Sequence, residues 1–341
     1  MQAEFKVLTG NFLLNISEGK MVDTCGKLWL YNGIDDKKVE ALSAEAGVSK
    51  LLAQILLGRG ITDPVSVRKF LNPSTGDLYD PLLLKDMDKA VDRVLKAFEK
   101  SEKVTIYGDY DVDGITGTAV IYDFLKSQGA DVDYYIPDRI DDGYGLSIAS
   151  LDYIIKSGTS LIITVDCGIT AVEEVEYAKS KNIDIIITDH HECSNRIPDA
   201  VAVVNPCRPD CSYPFKNLAG VGVAYKLITA LCKRMNLGTA HQDYLALTAV
   251  GTVADVVPLV DENRVIVKFG IPLIDKSKNP GLLALIDMAG LKDKQLSTWS
   301  ISFAMAPRIN AAGRMGNASR AVKMFTTSEK NEAEEIAAQL C

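Results

Sequence analysis

Short apolar runs alternate with amphipathic stretches through the middle of the chain, and this alternation predicts its architecture. Runs at 104–107 (VTIY), 132–136, 161–165 (LIITV), 183–188 (IDIIIT) and 200–204 read as strands. Between them, apolar positions return at helical spacing over about 115–128, 147–157 and 170–181. Strands that are apolar at successive positions are buried on both faces, which calls for a mostly parallel sheet covered by helices. The expected fold class is α/β, a doubly wound, mostly parallel five-stranded sheet.

The flanks have a different rhythm. Val39, Leu42 and Ala46, then Leu51, Leu52, Ile55 and Leu56, fall at helical spacings, and Pro64 opens a short helix carrying Val65, Val67 and Phe70. A helix over 87–100 has Ala90, Val91, Val94 and Ala97 on one face. A strand is expected at 27–31 and turns over 72–81, with further helices at about 220–235, 244–255 and 282–289. The chain is thus expected to divide into a mainly helical section (1–100), the sheet domain (101–260) and a helical connector (261–341).

In doubly wound sheets ligands collect at the carboxyl ends of strands. Polar residues stand there after three of the runs. Asp109, Asp111 and Asp113 follow VTIY within YGDYDVDGITGTA, Asp166 follows LIITV, and Asp189, His190 and His191 follow IDIIIT. Three carboxylates within five residues repel one another, and a cation among them resolves the conflict. Two of the chain's three histidines lie in this set, and imidazole beside carboxylate is metal-ligand chemistry. Taken singly, each has an ordinary reading: a solvated acidic turn, a helix cap at Asp166, a polar loop at the histidines. Their recurrence after three buried strands favours a metal site. Asp255, inside the apolar TVADVVPL, is either a capping residue or a further ligand. His241 receives no role.

Asp109, Asp111, Asp113 and Gly114 also match the first half of an EF-hand calcium loop. That template fails, because its twelfth position is Val120 and a strand precedes it. The stretch 306–316 (APRINAAGRMG) sets Arg308, Asn310 and Arg314 among small residues, read as a loop suited to phosphate recognition or as an ordinary surface loop. The segment 138–146 is read as a mobile turn, with Arg139 a further candidate for substrate contact.

Composition narrows the class. With 47% hydrophobic and 24% charged residues, the chain is globular in type, and no apolar run approaches the ~20 residues that span a bilayer. The N-terminus lacks a signal pattern, so a cytoplasmic protein with no membrane partner is expected. Seven scattered cysteines form no disulfide framework. Cys193, Cys207 and Cys211 evoke a zinc knuckle without completing four ligands, and reduced thiols are expected. A net charge of −8 confines any nucleic-acid surface to a local basic stripe, and bound cations would offset part of that charge.

The motifs DYDVDG, VDCG, DHH and VADVVPL, in that order, resemble the signatures of the DHH phosphoesterase superfamily. LLKDMDKAVDRV, YPFKNLAGVGVAYKL and APRINAAGRMGNASRAV are similar to its RecJ branch, the single-stranded-DNA-specific exonucleases of bacteria. The resemblance runs from about residue 27 to the end. It implies two divalent ions, Mn²⁺ or Mg²⁺, on Asp109, Asp111, Asp113, Asp166, His190 and Asp255. It further implies that Asp166 bridges the ions, Asp189 orients the histidines, and His191 lies near the scissile phosphate. Arg308 and Arg314 would hold substrate phosphates. The implied reaction is stepwise hydrolysis of single-stranded DNA from its 5′ end, in DNA repair and recombination, with single-strand-binding protein or a helicase as partner.

Family members continue into a DHH-associated domain and an OB-fold. This chain stops within an amphipathic pattern of Ala333, Ile336, Ala337 and Leu340, so a fragment with weak activity of its own is expected. Two competing readings are a phosphoesterase for small substrates such as dinucleotides or pyrophosphate, and a non-catalytic scaffold. The RecJ-like stretches favour DNA, and the complete ligand set opposes a scaffold.

Overall fold

Neighbouring side chains of the run Leu161–Val165 enter different cores. Leu161, Ile163 and Val165 join one apolar cluster and Ile162 joins another, as the two-residue period of a strand buried on both faces requires. The computed structural model describes residues 20–22, 28–30, 34–137, 145–314 and 318–340, divided into two units, Met1–Pro73 and Ser74–Cys341.

The first unit holds an antiparallel pair, β1 (Lys20–Val22) and β2 (Leu28–Leu30), and the helices α1 (Asp36–Ala46), α2 (Lys50–Gly58) and α3 (Pro64–Leu71). The strand expected at 27–31 is present as β2, with Lys27 and Tyr31 outside the described residues. Asp35, Ser49 and Asp63 each accept a backbone N–H at a helix start. Val39, Leu42, Ala53, Leu56 and Val67 form this unit's own core.

The second unit is built on five strands: β3 (Val104–Gly108), β4 (Val132–Tyr135), β5 (Leu161–Val165), β6 (Asp184–Thr188) and β7 (Ala202–Val204). Their order across the sheet is β4-β3-β5-β6-β7, and every neighbouring pair is parallel. The helices α4 (Met87–Glu99), α5 (Val112–Ser127), α6 (Ile148–Lys156), α7 (Val172–Ser180) and α8 (Gly220–Arg234) enclose it. α4, α5 and α8 share a cluster with Ile106, Ile163 and Ile186, whereas α6 and α7 pack on the other face with Ile162, Ile185 and Ile187. This is the doubly wound arrangement. The chain reverses direction across the sheet between β3 and β5, and the crevice at their carboxyl ends is where such sheets bind ligands.

The remaining helices are α9 (Leu245–Ala254), α10 (Asp261–Ile274), α11 (Pro280–Met288) and α12 (Thr298–Ser300), followed by α13 (Ala306–Arg314), α14 (Ala318–Thr326) and α15 (Lys330–Gln339). Their apolar faces belong to the same cluster as α5 and α8. The stretch read as a loop at 306–316 is helical through Arg314, a correction to the sequence reading. It continues from α12 through a π-helical turn at Ile301–Met305, and Pro307, the second residue of α13, lies in the first turn after it, where the interrupted ladder tolerates its missing N–H. Among the described residues no single helix is long and apolar enough to cross a membrane.

Candidate metal centre

The carboxyl ends of β3, β5 and β6 and the end of α9 deliver acidic and imidazole groups to one crevice. Asp109, the residue after β3, is buried and its Oδ1 accepts the N–H of Tyr110 at 2.8 Å. Asp111 caps α5, accepting the N–H of Gly114 at 3.0 Å. Asp113 reaches from the first turn of α5 to the start of α8. Its Oδ2 accepts the N–H of Gly220 at 2.6 Å and its Oδ1 that of Val221 at 2.8 Å.

Asp166 follows β5 with φ at +62°, a left-handed conformation that a non-glycine residue adopts at some cost. Its N–H still donates to Thr188 O at 3.0 Å, so the turn is anchored in the sheet. Its Oδ1 lies 3.0 Å from His190 Nε2 and 3.9 Å from His191 Nδ1. His190 Nε2 is also 3.8 Å from both Asp113 Oδ2 and Asp255 Oδ2. Asp255 is the C-cap of α9. The approach of α8 requires glycine: a Cβ on Gly220 would fall 2.6 Å from Asp166 Oδ1.

Three sets of ligand atoms each lie within 4.8 Å of one another: Asp109, Asp111 and Asp166; Asp113, His190 and Asp255; and Asp166, His190 and His191. Asp166 belongs to two sets, and so does His190. No cysteine joins any of the three.

Electrostatics fits this grouping to a cation. Burial and the charge of Asp111 push Asp109 up to about 7. Burial, then Asp111, does the same to Asp255, also to about 7. Asp113 and Asp166 are held well above the ordinary carboxylate range by burial and by neighbouring carboxylates. Burial, then His191, lowers His190 toward its neutral, ligating form. Asp255 Oδ2 and His190 Nε2 are buried and make no hydrogen bond. Carboxylates with one imidazole suit a hard or borderline divalent ion such as Mg²⁺ or Mn²⁺.

Asp189 faces the histidines. Its Oδ1 accepts from the N–H groups of His190 at 2.7 Å and His191 at 3.1 Å and lies 2.7 Å from His191 Nδ1, while Oδ2 accepts from Ile169 N at 2.9 Å. Burial alone would raise this carboxyl, but the His191 ring and the backbone donors outweigh it and hold it below the usual range. The same hydrogen bond raises His191. It also fixes the ring's orientation. Asn205 is a residue the sequence reading missed. Fully buried after β7, it donates from Nδ2 to the His191 carbonyl at 2.9 Å and accepts from Cys207 N at 2.7 Å. The strand-end rule that picked out the aspartates applies equally to it.

The basic candidates are placed differently. Arg308 is half-buried on α13, and its Nη1 donates to Ala304 O at 2.6 Å. Asn310 is half-buried on the same helix, and Arg314 is that helix's last residue. A Cβ on Gly313 would come within 2.3 Å of Tyr110 O, so the end of α13 lies against the aspartate-rich turn. Arg139 lies outside the described residues.

Residues 103–252 match the model of the DHH family, N-terminal domain. The chain is 43% identical over 312 residues to the single-stranded-DNA-specific exonuclease RecJ of Bacillus subtilis (strain 168), covering 92% of this chain and 39% of that protein. It is 35% identical over 313 residues to RecJ of Escherichia coli (strain K12), covering 88% of this chain and 54% of that one. Among solved structures, exonuclease RecJ bound to manganese is similar with a TM-score of 0.70 and 35% identity, over 75% of this chain and 65% of that one. RecJ in complex with Mn²⁺ from Thermus thermophilus is similar with a TM-score of 0.75 and 31% identity, over 90% of this chain and 43% of that one. The chain thus spans about half, or less, of the length of the curated relatives it matches.

Proposed function

The chain belongs to the DHH family, and from that premise we propose that it hydrolyses single-stranded DNA from the 5′ end using two divalent ions, Mn²⁺ or Mg²⁺. Asp109, Asp111, Asp113, Asp166, His190 and Asp255 would hold the ions. The observation that carries this reading is the convergence of their ligand atoms into sets that share Asp166 and His190. Bound there, the ions supply Lewis-acid charge and an activated water for in-line attack at phosphorus.

The chain's own residues position and stabilise. Asp166, common to two sets, would hold both ions. Asp189 orients His191, and His191, its pKa raised by that contact, donates a hydrogen bond or a proton to the phosphoryl group. Arg308, Asn310 and Arg314 on α13, with Arg139, contact substrate phosphates. Residues 101–260 serve as the phosphoesterase domain, with 1–100 and 261–341 flanking it. The work falls within cytoplasmic DNA repair and recombination, alongside single-strand-binding protein or a helicase. Similarity to the DNA exonucleases covers 92% of the chain, well beyond residues 103–252, and this supports DNA over a small substrate.

The test uses Mn²⁺ with single-stranded DNA labelled separately at each end, and pyrophosphate in parallel. Mononucleotide should appear first from the 5′ label, stop with EDTA, and return when Mn²⁺ is restored. Digestion from the 3′ end alone, or hydrolysis of pyrophosphate but not DNA, sinks the reading.

A further inference from the structure

Two large aromatic side chains stand in solvent on the helix that ends at the metal centre. Trp299 is 64% exposed and Phe303 67%, with ring centroids 5.6 Å apart and planes inclined by 32°. Their helical run is held from beneath: Ile301, Met305, Ile309 and Ala312 are buried in the main core. The pair is therefore presented on a rigid support. It spans the π-helical turn Ile301–Met305, where Ala306 N donates to Ile301 O, and such turns are frequent at functional sites.

The same run leads from the aromatic pair to the aspartates. Ten residues separate Phe303 from Gly313, about 15 Å at the helical rise, and Gly313 lies against Tyr110 between Asp109 and Asp111. Pro307 is exposed and Asn310 half-exposed along the way. We infer that Trp299 and Phe303 form a stacking platform for the bases of a single strand whose scissile phosphate lies at the aspartate cluster. The inference rests on the proposed hydrolysis of single-stranded DNA.

Two considerations select this occupant. Two aromatic side chains offer at most about 300–500 Å², short of the roughly 800 Å² per partner in a stable protein interface. That area suits one or two bases. In addition, the chain's charge of −8 weakens capture through phosphates, whereas stacking is indifferent to charge and to base identity. The platform would supply affinity, and the metal centre the chemistry.

The experiment measures binding in EDTA and hydrolysis in Mn²⁺ separately. The chain's two tryptophans are Trp29 and Trp299, so a twelve-nucleotide oligo(dT) should quench part of the fluorescence, and Trp299→Ala should remove that part. By anisotropy, Trp299→Ala and Phe303→Ala should each weaken oligo(dT) binding by roughly 5- to 150-fold. Trp299→Phe should retain most of the affinity. An abasic strand of the same length should bind all forms alike. Alanine variants that bind oligo(dT) as tightly as wild type, or lose as much affinity for the abasic strand, overturn the platform. A chain that binds through Trp299 but hydrolyses no strand keeps the platform and sinks the hydrolytic reading. Hydrolysis that ignores both substitutions does the reverse.

Discussion

The carboxylate of Asp113 accepts a 2.6 Å hydrogen bond from the backbone N–H of Gly220, the first residue of α8. A helix N-terminus carries unpaired N–H groups and a partial positive charge, so it steadies a buried anion. Gly220 also presses on Asp166, which makes one residue the neighbour of two candidate ligands.

Gly220→Ala should therefore damage the metal centre more than the fold. Alanine suits the start of a helix at least as well as glycine, but its Cβ would meet the Asp166 carboxylate at 2.6 Å. Relieving the overlap moves α8 or the carboxylate, at about 1–3 kcal/mol. Mn²⁺ affinity should fall by roughly 10- to 100-fold, with Tm lowered by only a few degrees. Calorimetric titration checks it, and wild-type affinity would show that the Asp166 position is not critical.

Asp166→Asn keeps a side chain that tolerates the left-handed backbone while removing the charge. If Asp166 bridges, the variant should bind fewer Mn²⁺ ions and lose hydrolysis, and its circular dichroism should be unchanged. Two undiminished Mn²⁺ sites in the variant would rule the bridge out.

Arg208 offers a test away from the centre. Buried, it donates to Asp86 at 2.6 Å, to Val203 O at 2.7 Å and to Asp210 at 2.8 and 2.9 Å. Burial would raise the Asp86 carboxyl, but Lys89 and Arg208 outweigh it and hold it below its unfolded value. Asp86 thus contributes stability above about pH 4, lost as pH falls through its folded pKa. Arg208→Met should cost about 3–5 kcal/mol at pH 7. The gap should narrow in acid, as Asp86, left with Lys89 alone, becomes protonated. Urea unfolding at pH 7 and pH 3 measures both differences, and an equal gap at the two would contradict the assignment.

Arg308→Ala separates phosphate contact from packing. In the proposed role it should weaken single-strand binding and lower the salt slope by about one phosphate, ~0.7 in log K per log [salt]. Mn²⁺ binding should not change. An unchanged slope would mean that Arg308 serves only the Ala304 carbonyl.

The central sheet was legible because burial on both faces writes itself into one dimension. LIITV and DIIIT are apolar at nearly every position, and the residues after them had to be the crevice. The helix α13 was not legible from APRINAAGR. Its alanines carry no apolar period, and its identity comes from continuity with Ile301 and Met305 one turn earlier. Partnerships across long separations were also invisible: nothing near Asp113 announces Gly220, and nothing near Gly313 announces Tyr110. Asn205 was within reach, since it too follows a buried strand, but one amide without a charged neighbour draws no notice.

The sharing of ligands between sets has a consequence for the order in which this molecule is made. Asp109, Asp166, His190 and Asp255 leave the ribosome far apart in time, on four different elements, and α8 must dock before Asp113 meets Gly220. The set of Asp113, His190 and Asp255 stays open longest, because Asp255 arrives last. Until α9 is in place the nascent sheet carries mutually repelling carboxylates, and full ion capture becomes a closing step of maturation, dependent on contacts of high sequence separation. An ion that arrives only after α9 has docked would then find the set of Asp113, His190 and Asp255 complete.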